Sequence, residues 1–248
     1  MPTPPSEYAA QLLPEDRSFY DSLWAYTAPY LIYVAISSLP ETLIASGLMQ
    51  ALKLTATGLA ILYFRKVFRF GKLKPIHVLI ALLALPAAML SWMGPFYLLS
   101  AVGWIDFASL MPPLTYNSIY VLLRLANSVV LVAVFEELFI RVYVMGWFYQ
   151  AGQQKQEKGL VGSLLEVLDQ RPKTASGLPL SFFSVAGTVI VFTAGHHSYE
   201  YLSAALYFLF TTWLYKKSGS LWVCIIIHAL TNLGIGLLAA YGGLGWLW

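Results

Sequence analysis

Two carboxylates and a guanidinium stand together in an otherwise apolar run, Phe135-Glu136-Glu137-Leu138-Phe139-Ile140-Arg141. On a helix, Glu137 and Arg141 are four residues apart and share a face, so the arginine can neutralise Glu137. Glu136 points about 100° away and keeps a spare charge, which suits acid–base work. A packing ion pair accounts for Glu137 and Arg141 but leaves Glu136 unexplained.

Two further groups could cooperate with that spare carboxylate. In Phe192-Thr193-Ala194-Gly195-His196-His197, Phe192 lies one turn before His196 and can support its ring, while Gly195 lets a neighbouring helix approach. His196 can take or deliver a proton near neutral pH; His197 points elsewhere, towards the interface. In His228-Ala229-Leu230-Thr231-Asn232, the histidine and asparagine share a face at spacing four. Both can donate hydrogen bonds, which suits an oxygen that becomes negative in a transition state. Arg124 and Asn127 read as structural, with Arg124 snorkelling towards an interface.

The elements that must position these residues are membrane helices. Of 248 residues, 58% are hydrophobic and only 11% charged, and the mean hydropathy is +0.67, which excludes an ordinary soluble surface. Apolar runs near twenty residues recur without the period-two alternation of a membrane barrel, so the fold class is an all-α polytopic bundle. At the bilayer centre each charged residue costs about 2.5 to 3.5 kcal/mol on insertion scales, so Glu136, Glu137 and Arg141 must face protein and one another. A net charge of +3 argues against nucleic acid, and the single Cys224 excludes an internal disulfide.

Seven spans are expected, at roughly 23–40, 46–64, 76–99, 118–149, 182–196, 200–215 and 220–240. A helix over 118–149 would measure about 48 Å, so it must tilt, bend or protrude. Residues 1–22 form a polar amino-terminal segment without the features of a cleavable signal, and 23–248 form a single membrane-embedded domain. Lys and Arg follow the second, fourth and sixth spans, which places the amino terminus in the cytoplasm and the carboxyl terminus outside. In the long polar connection 150–181, Leu160, Leu164, Leu165 and Leu168 could form a short amphipathic helix on the membrane surface.

Together the three groups resemble the motifs of the CAAX protease and bacteriocin-processing (CPBP, or Abi) family. That family carries Glu-Glu-x-x-x-Arg, Phe-x-x-x-His and His-x-x-x-Asn on successive membrane helices. Here Glu136, Glu137 and Arg141, then Phe192 and His196, then His228 and Asn232 stand in the same order, over roughly 118–240. The resemblance implies a metal-independent glutamate endopeptidase similar to the type II CAAX prenyl endopeptidase. Glu136 with His196 would activate water, His228 with Asn232 would hold the oxyanion, and Glu137, Arg141 and Phe192 would support them. It implies no cofactor and no metal, a membrane-associated peptide or protein as substrate, and, given the short loops, a bacterial plasma membrane.

Other readings stay open. Two carboxylates and two histidines could bind zinc, although no His-Glu-x-x-His helix occurs and Arg141 opposes a cation. His196 and Glu200, four apart, are separated by a turn-like Ser198-Tyr199. A proton-coupled carrier could use Glu136, Glu137 and His196 as a relay, and a non-catalytic immunity or chaperone protein could carry the same motifs.

Overall fold

The computed structural model describes residues 19–40, 42–68, 70–110, 117–168 and 180–247, apart from the side chains of 19–22, 155–158 and 168. The long helices among the described residues are α1 Phe19–Ser37, α2 Ser46–Phe64, α3 Pro75–Ala101, α4 Ser118–Gln154, α5 Phe182–Ala194, α6 Tyr201–Ser218 and α7 Leu221–Tyr241. The protein is an all-α helical bundle, and no strand occurs among the described residues. Of the polar segment 1–22, only 19–22 fall within the described residues, and these are helical.

By length and composition, α2, α3, α4 and α7 are each sufficient to cross a membrane. The apolar stretches Leu23–Ser37 and Phe182–Ala194 are shorter, and α6, which ends in Lys216 and Lys217, does not meet the same hydropathy. The expected second span matches α2 at both ends. The fourth runs five residues past its expected end, to Gln154.

Local chemistry explains where the rods start and stop. The Asn117 side chain accepts the Tyr120 amide at 2.8 Å and caps α4. Ser181 and Ser184 form a reciprocal cap on α5. Pro75 opens α3, where its missing N–H costs nothing. Gly219 ends α6 at φ 61°, a left-handed conformation that glycine adopts without strain. Beyond Gln154 the helix continues to Gly159, where φ 70° and ψ 173° break it, and residues 160–168 are again helical. This last piece turns back so that the Trp147 indole N–H donates to the Leu164 carbonyl at 2.9 Å. Val167 is buried, whereas Leu160 and Leu165 face outward and Leu164 is half-buried. Of the four leucines expected on one amphipathic stripe, Leu160 and Leu165 are thus exposed and Leu164 partly covered, and the Leu168 side chain lies outside the described residues.

Packing places α4 at the centre. Its middle lies against α7 and α2, its far end against α5, while α1 covers both α2 and the part of α4 around residue 140. The bundle's outer surface is apolar: Leu83, Leu90 and Ile190 are among its most exposed side chains. Inside, by contrast, sit buried Glu137, Arg141, Thr211, Thr212, His228 and Thr231. This inverts the polarity of a soluble fold, as a lipid solvent requires.

Candidate active site

The central rod is not a uniform α-helix. Two π-helical stretches, Asn127–Val132 and Leu138–Val144, flank a single α turn at Ala133–Glu137. Such i→i+5 turns interrupt the 3.6-residue period and recur at functional sites. The α turn between them presents the two glutamates.

Glu137 is tied down. One carboxylate oxygen accepts the Nε–H of Arg141, and the other lies 3.1 Å from Nδ1 of His228. Arg141 in turn donates from Nη1 to the Thr212 hydroxyl at 2.8 Å and from Nη2 to the Thr211 hydroxyl at 2.5 Å. Its guanidinium also stacks over Phe208, 4.7 Å from the ring centroid. The Glu137 and Arg141 side chains are 6% and 1% exposed, so this is a buried, hydrogen-bonded ion pair with a second row of donors and acceptors.

Glu136 differs in every respect. Its side chain is 22% exposed, and the one basic nitrogen within 4 Å among the described residues is Nε2 of His228 at 3.9 Å. No hydrogen bond reaches it from a described residue. His228 thus lies between the two glutamates, with Nδ1 towards Glu137 and Nε2 towards Glu136.

His196 stands just beyond the end of α5, after Gly195. Its Nδ1 lies 2.8 Å from the Phe192 carbonyl oxygen. A carbonyl only accepts, so Nδ1 carries the proton and Nε2 presents a lone pair. Phe192 and Trp92 hold the imidazole by ring contacts at 4.7 and 5.5 Å. Gly195 permits a close approach by α1: a Cβ there would stand 3.4 Å from the Tyr30 hydroxyl. Asn232 donates from Nδ2 to the Ser128 carbonyl at 2.8 Å, inside the first π-helical stretch. That bond uses one of its two amide protons.

Glu136, His196, His228 and Asn232 all line one cavity of about 280 Å³. Three chain segments, at residues 136, 196 and 228–232, therefore meet around a common space. Phe192 lines the same cavity, whereas Glu137 and Arg141 stand behind it. His197 faces outward and stacks on Tyr199 at 5.3 Å. Glu200 accepts the His197 amide at 2.9 Å as a local cap. Asn127 is fully buried and donates to the backbone and side-chain oxygens of Gln50, a structural tie between α4 and α2. Arg124, expected to snorkel towards an interface, lines the cavity and donates to the hydroxyl of Tyr120, one turn nearer the start of α4, at 2.8 Å.

Several lining residues were not anticipated from the sequence: Tyr33, Lys53, Trp92 and Tyr207. Lys53 carried a signal, since a lysine inside an apolar span is as conspicuous as a glutamate. Aromatic residues in a chain this rich in them carried none. Among the described residues no three His, Cys, Asp or Glu side chains gather as a metal would need.

Fold and cavity together define a class: a helical membrane protein whose bundle encloses a spare carboxylate, two imidazoles and a carboxamide. Residues 118–234 match the family model described as type II CAAX prenyl endopeptidase Rce1-like. That stretch contains all three motifs and is similar to this family of CAAX proteases, and the chain is an integral membrane protein. No curated protein and no solved structure matches the chain.

Proposed function

We propose that the protein is an intramembrane glutamate endopeptidase that hydrolyses a peptide bond close to the membrane surface. The observation that carries this reading is the unequal state of two neighbouring carboxylates: Glu137 is consumed by Arg141 and His228, while Glu136 faces the cavity with no hydrogen bond from a described residue.

The chemistry follows from what each group has left to offer. A water molecule has two protons to donate. Glu136 accepts one and Nε2 of His196 the other, which aims an oxygen lone pair at the scissile carbonyl carbon. As the oxygen attacks, Glu136 takes a proton and the carbonyl oxygen becomes negative. Asn232 offers it the amide proton not used by Ser128. His228 offers Nε2–H in its charged form, with Glu137 as counter-ion. The tetrahedral species then collapses, the C–N bond breaks, and Glu136 returns its proton to the departing amine. Arg141 positions Glu137 and, through it, His228. No step calls for a metal or a cofactor.

The basic segments after α2, α4 and α6 support an amino terminus in the cytoplasm, and short connections suit a bacterial plasma membrane. A substrate would be a peptide or protein held at the membrane.

The test is cleavage of a peptide library by the purified protein in detergent, compared with Glu136→Gln and repeated with a chelator. New products with the parent protein, absent from the variant and unaffected by chelation, are expected. Identical product profiles for parent and variant would remove the peptidase. Activity lost on chelation and restored by zinc would overturn its metal-free form.

A further inference from the structure

The connection from α2 to α3 carries Arg65, Lys66, Arg69, Lys72 and Lys74, and no Asp or Glu occurs between residues 42 and 105. Contacts with the start of α7 fix the part of it that holds Lys72 and Lys74. Nδ1 of His77, in the first turn of α3, accepts the Lys74 N–H at 3.2 Å and lies 3.3 Å from the Ser220 hydroxyl. The Trp222 indole N–H donates to the Gly71 carbonyl at 2.6 Å, and its ring lies against Phe70. Lys216 and Lys217, at the end of α6, stand at the same end of the bundle. Among the described residues, Arg65, Lys66, Lys72, Lys74, Lys216 and Lys217 make no ion pair, and all six are exposed.

Beside this basic rim lies a groove of about 590 Å³, lined by Leu73, Lys74, Pro75, Val78, Leu79 and Leu82. Lys74 is its one charged residue, and Leu73, Val78, Leu79 and Leu82 are exposed. From Lys74 to Leu82 the helix rises about 12 Å, close to the ~15 Å of hydrocarbon in one leaflet. The start of a long helix also favours negative charge. The groove thus offers a cation at one end and an apolar strip of leaflet length below it.

We propose that this groove seats one anionic phospholipid, with its phosphate at the Lys74 ammonium and an acyl chain along Val78, Leu79 and Leu82. Charge decides among the occupants. A zwitterionic headgroup brings its own cation to a rim that already has unpaired ones. A second copy of the chain, docked through the same face, would set one basic rim against another. Inorganic phosphate would leave the apolar strip unused. A lysine close to an anionic membrane surface contributes about 1 kcal/mol, or roughly fivefold in affinity. The site is independent of the peptidase reading, since neither its residues nor its ligand take part in turnover.

The experiment titrates the full chain in detergent with dioleoyl phosphatidylglycerol or dioleoyl phosphatidylcholine and counts bound lipid by native mass spectrometry. The first bound phosphatidylglycerol should be held at least fivefold more tightly than phosphatidylcholine. Lys74→Gln should lower that ratio about fivefold, whereas Lys66→Gln, the same change of charge on the α2 side of the connection, should leave it in place. Leu79→Trp, which fills the groove, should weaken both lipids. Equal affinity for the two lipids overturns the proposal without any variant. Equal losses in Lys66→Gln and Lys74→Gln would reduce the site to a diffuse basic rim, and displacement of the lipid by millimolar inorganic phosphate would make it a soluble-anion site. A dimer that persists as lipid is added, with no lipid bound, would give the groove to a second copy; each of these three results also overturns it.

Discussion

Glu136 and Glu137 are neighbours in the chain and opposites in the fold. Glu137 sits in a closed network in which Arg141, His228, Thr211 and Thr212 satisfy one another. Glu136 opens into a cavity shared with His196, His228 and Asn232. One region has its charges matched and its donors occupied, as a stable interior demands. The other leaves acceptors and donors unspent. A bundle can hold an under-satisfied carboxylate at membrane depth because an adjacent, over-determined one fixes the geometry, and His228 joins the two.

The largest effects should separate the two glutamates by what they damage. Glu136→Gln is expected to lower turnover about 10²- to 10⁴-fold, the range of a lost general base, with the unfolding temperature in detergent held. A comparable loss of folding stability would mean that Glu136 is also structural and would dissolve the contrast. Arg141→Met should do the reverse first. Removing one partner of a buried pair leaves Glu137 uncompensated, at a cost of about 3 to 5 kcal/mol in stability. Thermal unfolding reads that cost directly, and an unchanged melting curve would show that the pair does not hold the bundle.

Much of this contrast was legible before the fold was known, because it rests on spacing. Four residues between Glu137 and Arg141 already implied the pair, and the spare charge on Glu136 followed. The motifs on three separate apolar segments implied one meeting point. What spacing could not supply was the pair of π-helical stretches around the glutamates, the first of which packs against α2 and α7 and the second against α1 and α5. It also missed that Nδ1 of His228 is occupied by Glu137, and that one Asn232 proton goes to Ser128. Both reduce the donors left for an oxyanion, and both are contacts between helices more than ninety residues apart in sequence.

Asn232 tests the open region from its other side. Asn232→Ala is expected to cost about 2.7 to 4 kcal/mol of transition-state stabilisation, roughly a hundred- to thousandfold in turnover. A proton relay through Glu136 and His196 would tolerate the change, so near-normal turnover would favour a carrier over a peptidase. Because Asn232 also ties α7 to the Ser128 carbonyl, the unfolding temperature must be measured alongside. A fall in turnover that merely tracks unfolding would assign the residue to packing.

The smallest effect should come from the outer edge of the closed region. Thr212→Val keeps the shape of the side chain and removes the hydroxyl that accepts from Nη1 of Arg141. Hydrogen bonds to charged groups contribute about 1.5 to 3 kcal/mol, whereas those between membrane helices reach at most about 1.7. The expected loss of stability is therefore roughly 1.5 kcal/mol, about half that of Arg141→Met or less. In the double variant the two costs should not add, since the threonine has no guanidinium left to hold. Turnover should change little, because Glu137 still accepts Nε–H and still faces His228. If Thr212→Val instead lowered turnover as sharply as Glu136→Gln while leaving the melting temperature alone, the closed region would be part of the reacting machinery, and the division between the two glutamates would have to be redrawn.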